Sequence, residues 1–132
     1  MIKKSSSNLS SSKNEVSLDR IAEIYRGIGE KNMPKGYWIV HIEIRDKKGY
    51  EEYKKASAAH LSKFGAKFLV RGGSQEKLEG SCKPRTVLIE FPDFRAAQLC
   101  YKSQEYQKAQ ALRKQYSVAD LVIVEGTNQQ VI

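Results

Sequence analysis

Apolar residues are sparse in the first 16 positions, recur every three to four positions from Leu18 to Ile28, and from Tyr37 onward fall into short runs separated by stretches of helical period. Helical spacing puts residues i, i+3, i+4 and i+7 on one face, and strand spacing puts i and i+2 on one face. On that basis the body reads as a strand over 37–45 (YWIVHIEIR), then a helix from about Lys48 to Phe64, capped by Asp46 and stopped by Gly65. Next come a strand over 66–71 (AKFLVR), a third over 85–91 (RTVLIEF) and a helix opened by Pro92-Asp93 that reaches Tyr116 with a kink at Ser103. The last strand is 120–125 (DLVIVE). The order β-α-β-β-α-β is that of an α+β, ferredoxin-like split βαβ sheet with both helices on one face.

Alternation divides the strands into two faces. Trp38, Val40, Ile42, Ile44, Phe68, Val70, Val87, Ile89, Phe91, Val122 and Val124 contain no polar residue, so this set is assigned to the helix-covered core. The other set holds Tyr37, Ile39, His41, Glu43, Lys67, Leu69, Arg71, Thr86, Leu88, Glu90, Leu121, Ile123 and Glu125. No helix is left to cover it, and its apolar members would form an exposed patch of the kind that marks association or ligand binding. A partner sheet or a ligand is therefore expected there.

Ahead of the body, residues 1–16 (MIKKSSSNLSSSKNEV) are polar and Ser-rich and are expected to be a disordered leader. Residues 17–35 read as an extension, with a short amphipathic helix over about Leu18–Gly29 behind Ser17 and a linker broken by Pro34. That helix could dock on the domain, bind a partner or be marginal. The folded domain is set at 36–126 and a tail at 127–132.

The 132 residues fit one domain, and the net charge of +8 raises nucleic acid, anionic lipid or an acidic ligand as partners. Part of the surplus, however, lies in residues 1–35, and the rest forms no block of like charge. RNA-recognition modules share this element order but stack bases on aromatic residues of the third strand's open face. Here that face offers Thr86, Leu88 and Glu90, so nucleic acid is set aside. Cys82 and Cys100 are too few and too far apart for a zinc site or a disulfide framework and are read as reduced. Two histidines cannot make a three-histidine metal site, and nothing marks a porphyrin pocket, so neither metal nor cofactor is expected. No apolar run suits a membrane span or a signal peptide, which points to a cytoplasmic protein.

Several blocks resemble a known family. Met33-Pro34-Lys35-Gly36-Tyr37-Trp38-Ile39-Val40-His41, Phe68-Leu69-Val70-Arg71-Gly72-Gly73, Leu78-Glu79-Gly80, Glu90-Phe91-Pro92, Tyr101-Lys102-Ser103-Gln104-Glu105-Tyr106-Gln107, Arg113 and Val122-Ile123-Val124-Glu125-Gly126 are similar, in order, to the blocks of domain of unknown function 1330. The resemblance covers about Met33 to Gly126 and leaves residues 1–32 outside the family pattern. It implies a homodimeric α/β barrel in which two such sheets face each other around a cavity. It supplies no reaction; relatives by fold include isomerases and cofactor-independent monooxygenases, a fold-level analogy only.

With strands 1 and 3 read as parallel, the open face carries Glu43, Glu90 and Lys67 towards one end and Arg71, Thr86, Tyr37 and Glu125 towards the other, with His41 between. His41 is the candidate general acid or base, since imidazole as a class ionises nearest neutrality. Glu43 or Glu90 would tune it, and Arg71 would hold a carboxylate or enolate oxygen. Tyr37, Lys67, Gly72, Gly73, Glu90 and Glu125 are candidate ligand-binding residues. The expected activity is acid/base chemistry on a small acidic or carbonyl-bearing molecule without a metal; the alternative is a non-catalytic small-molecule binding or regulatory module. The same charges could equally be ion pairs that fix dimer register, and Arg71-Gly72-Gly73 could be an anion-binding turn or a strand end with a bulge.

Overall fold

β-branched and aromatic residues build the first strand, β1 (Gly36–Ile44), whose alternate side chains Trp38, Val40 and Ile42 are buried. The structure, a computed structural model, describes residues 33–128. The expected leader, the helix over Leu18–Gly29 and the last residues of the tail lie outside the described residues. Asp46 accepts a hydrogen bond from Gly49 N (3.0 Å) and so caps α1 (Lys47–Lys63), which ends at Gly65 with φ of 80°. Then follow β2 (Lys67–Arg71), β3 (Arg85–Phe91), α2 (Phe94–Lys102), α3 (Gln104–Tyr116) and β4 (Ser117–Glu125).

The second helical stretch is two helices rather than one kinked helix. Ser103 closes α2 and opens α3: its hydroxyl donates to Cys100 O (2.7 Å) and accepts from Tyr106 N (3.3 Å). His60 Nε2 lies 2.5 Å from the same oxygen, which ties α1 to the break and leaves His60 buried and hydrogen-bonded. Trp38 fills the space between β1 and α2, donating from Nε1 to Ala97 O (3.0 Å) and packing edge-on against Tyr106.

The sheet order is β2-β3-β1-β4, and every pair is antiparallel. Strands β1 and β3 therefore do not run parallel as expected. This reverses the ends of the open face: Glu90 stands opposite both Tyr37 and Lys67, while Thr86 stands opposite His41.

Two further face assignments are corrected. In β4, Leu121 pairs with Val40 and Ile123 with Trp38, so these two pack on the core, and Val122 and Val124 look outward. Four consecutive apolar residues carry no alternation, and the pattern alone had no means of choosing their parity. In β2 a bulge between Phe68 and Val70 shifts the register: Phe68 pairs with Ile89, but Val70 pairs with Leu88 and Arg71 with Val87. One extra residue exchanges the faces, so Val70 turns outward and Arg71 turns to the helix side.

Candidate functional site

Arg71 thus meets a group of side chains that the open face does not contain. Arg85 begins β3 opposite Ile42, on the core face, and Arg113 sits on the buried stripe of α3 with 5% of its surface exposed. Tyr50 and Tyr53, one turn apart on α1, complete the group. All five line one pocket between α1 and the sheet, together with Lys54 and Ser57 of α1 and an apolar wall that includes Trp38, Val40, Phe68, Val87 and Leu121.

The guanidinium of Arg71 lies over Phe68, 4.0 Å from the ring centre, that of Arg85 lies 5.8 Å from the Tyr50 ring, and that of Arg113 lies 6.0 Å from the Tyr53 ring. Arg113 Nε donates to the Tyr106 hydroxyl at 3.4 Å, and this oxygen is 2.8 Å from the Tyr53 hydroxyl. Among the described residues the ion pairs are Arg45–Glu43, Lys54–Glu51 and Lys83–Asp120, so none of the three arginines has a carboxylate partner. Arg85 Nε is buried without a hydrogen-bond acceptor. Charge withdrawn from water with no counter-charge is costly, and a bound anion offsets that cost.

The electrostatics converge on Tyr50. Burial pushes its hydroxyl up from the ordinary phenol value, while the charges of Arg85, Arg113 and Arg71 pull in the opposite direction. Gly72, at φ of +75°, is placed so that a Cβ there would stand 2.1 Å from the Arg85 guanidinium. The Arg71-Gly72-Gly73 block is accordingly a strand end after a bulge whose first glycine makes room for Arg85. A Cβ at Gly73 would meet nothing within 4 Å. The space left between the side chains is about 30 Å³, enough for a few atoms of a head group. Arg71 is exposed on an edge strand.

The other face holds the remaining expected residues, divided between its two ends. At one end burial, followed by the hydrogen bond that the Tyr37 hydroxyl donates to Glu90 (3.2 Å), raises the phenol's pKa, and Lys67 stands in register with Glu90. Glu125 is opposite Gly36 at this margin of the sheet, on the parity of the core strands rather than the open face. At the other end His41 Nδ1 lies 3.0 Å from Thr86 Oγ1 and 3.5 Å from Cys82 Sγ. Here His41, Glu43, Ser81, Cys82, Lys83, Pro84 and Asp120 line an open groove of about 660 Å³. Glu43, half-exposed, also pairs with Arg45 at 3.7 Å. The expected triad is thus divided: His41 and Glu43 share the groove, and Arg71 lies across the sheet from them.

Arg85, Arg113, Tyr50 and Tyr53 were not singled out as site residues. A signal existed in the alternation itself, since Arg85 extends the core series Val87, Ile89, Phe91, and Arg113 falls on the stripe of Tyr106, Ala109 and Tyr116. An arginine on an otherwise apolar stripe is a buried charge that needs a reason. Among the described residues no group of histidine, cysteine, aspartate and glutamate side chains is arranged to hold a metal ion.

The fold has solved counterparts. A protein of unknown function from Rhodopseudomonas palustris aligns over 81% of this chain and 94% of its own, with a TM-score of 0.59 at 15% identity. A second, methylated structure aligns over 83% and 93%, with a TM-score of 0.60 at 14% identity. An ethyl tert-butyl ether d (ethd) family protein from Bacillus halodurans aligns over 72% of this chain and 100% of its own, at 14% identity and a TM-score of 0.46. No curated protein matches the sequence. The family model for domain of unknown function 1330 matches residues 35–127, which takes in every described strand and helix and all three arginines of the pocket, and the chain belongs to that family.

Proposed function

We propose that the protein binds a small carboxylate- or carbonyl-bearing molecule in the pocket between α1 and the sheet. The observation that carries this reading is the convergence of Arg71, Arg85 and Arg113 on one apolar-walled pocket without a carboxylate among them. Guanidinium groups hold carboxylates through paired N–H donors, and the small space between these three suits the carboxylate head group itself. Tyr50 is the hydroxyl on which all three arginines act, and it is the group that would pass a proton to a carbonyl or enolate oxygen held between them. The acid/base role thereby moves from His41, across the sheet, to a tyrosine beside the anion-holding residues.

A second copy of the chain is the proposed cover for the open face. Val70, Val118, Val122 and Val124 are exposed there, beside Ile39 and Leu88. Two such sheets face to face would make the α/β barrel that the family resemblance implies.

Titration calorimetry with a panel of small carboxylates and their uncharged amides tests the binding reading. Carboxylates are expected to bind and amides to fail, with Arg85→Met and Arg113→Met each weakening binding by roughly tenfold to a hundredfold, the range for a lost charged hydrogen bond. Equal affinity for acid and amide would refute it. Tyr50→Phe separates the two classes of function: retained binding with lost turnover of a bound acid identifies an enzyme, whereas unchanged turnover removes Tyr50 from the chemistry.

A further inference from the structure

The space beside the three arginines, about 30 Å³, admits a carboxylate and little more, so the rest of a larger acid has to extend out of it. Two of the pocket's own residues mark the way. Lys54 and Arg85 also line a second cavity, of about 290 Å³, where the end of β1 meets the first two turns of α1. Ile44 of β1 gives it an apolar wall, and Lys47, Lys48 and Glu51 complete the lining. Helical spacing explains the arrangement. Lys47, Glu51 and Lys54 follow one another along a stripe of α1 that adjoins the Tyr50 and Tyr53 stripe of the arginine pocket.

The charge of this second cavity is unbalanced. Among the residues lining it Glu51 is the only carboxylate, and it is held by Lys54 Nζ (3.1 Å). Lys47 and Lys48 take part in none of the ion pairs among the described residues, and Arg85 Nε is buried without an acceptor. Both lysines also stand in the first turn of α1, which contains no acidic residue, so the positive end of the helix adds to their potential.

We propose that the ligand is a short-chain dicarboxylate. One carboxylate sits among Arg71, Arg85 and Arg113, the chain passes Arg85 and lies against Ile44, and the second carboxylate faces Lys47 and Lys48. The proposal rests on the arginine pocket as the seat of the first carboxylate and adds the class of acid. Lys47 and Lys48 are then specificity residues, since a monoacid of the same length would place an uncharged methyl group beside two ammonium groups.

The test is titration calorimetry of the full chain, at one ionic strength, with succinate, glutarate and adipate and the monoacids of matching length, butyrate, pentanoate and hexanoate. At least one diacid is expected to bind about fivefold tighter than its monoacid, the scale of one or two exposed ion pairs. In Lys47→Gln/Lys48→Gln the two should bind alike. Lys102→Gln/Lys108→Gln, which removes the same charge from exposed positions on α2 and α3, should keep the preference. Diacids no tighter than monoacids, a preference that survives the first variant, or one that the second abolishes would overturn the proposal and leave the arginine pocket standing as a carboxylate site. If neither class of acid binds, the reading of the pocket itself fails, and the dicarboxylate with it.

Discussion

At Gly72 a side chain would have to occupy the place of the Arg85 guanidinium, and the backbone there is in the left-handed region. Gly72→Ala is therefore expected to cost about 1–2 kcal/mol in urea denaturation and to weaken carboxylate binding, because Arg85 must leave its position. An unchanged affinity would separate Gly72 from the site. Deeper in the same region the Tyr53 and Tyr106 hydroxyls and Arg113 satisfy one another. Tyr106→Phe removes the acceptor of Arg113 Nε and the partner of Tyr53, and about 1–3 kcal/mol of stability should go with it, since two buried polar groups lose their partner. The two cysteines make a contrast at this scale. Burial pushes the Cys100 thiol far above its ordinary range, so it should be inert towards disulfides, whereas Cys82 stands at the surface.

At the scale of elements, the fold was legible because period and punctuation agree. Asp46 and Asp93 accept from the backbone N–H three residues ahead, Gly65 ends α1, and the Trp38, Val40, Ile42 alternation marks the core face. The candidate site was legible only in part, and for Arg71 the reason is one residue. The bulge in β2 has no signature in Phe68-Leu69-Val70, each of which suits a strand on either face, yet it decides which side of the sheet Arg71 occupies. Deleting Leu69 would remove the bulge while leaving Val70 opposite Leu88 and Arg71 opposite Val87, so this variant should fold and keep most of its carboxylate affinity. Lost affinity would show that the bulge itself, and not only the side of the sheet that Arg71 occupies, is needed by the site. In β4 the ambiguity had the same origin, four apolar residues in succession. Ser103 behaved as its chemistry allows, capping in both directions, and Ser103→Ala is expected to cost about 1–2 kcal/mol by thermal or chemical melting.

For the whole molecule, the buried tyrosines set its response to alkali. Burial raises Tyr53, Tyr106 and Tyr50 above the phenol value of 10.0. A phenol held protonated in the fold but free to ionise in the unfolded chain contributes stability that is complete below the unfolded value and is lost as pH rises towards the folded one. Denaturation midpoints should therefore hold steady at neutral pH and fall steeply above about pH 10, with a shallower fall in Tyr53→Phe. The same scale holds the proposed dimer: sedimentation should give twice the chain mass for the native protein, and Val122→Lys, a charge placed on a side chain now 52% exposed on the open face, should shift it towards the monomer. The charge of +8 takes on a more specific meaning, since three of its cations line one pocket between α1 and the sheet. The most direct measurement is a titration of the full chain with a small carboxylate followed by nuclear magnetic resonance of backbone amides and arginine Nε–H groups. The account predicts shifts centred on Tyr50, Tyr53, Arg71, Arg85 and Arg113; shifts confined to the groove of His41 and Thr86, or none at saturating acid, would contradict it.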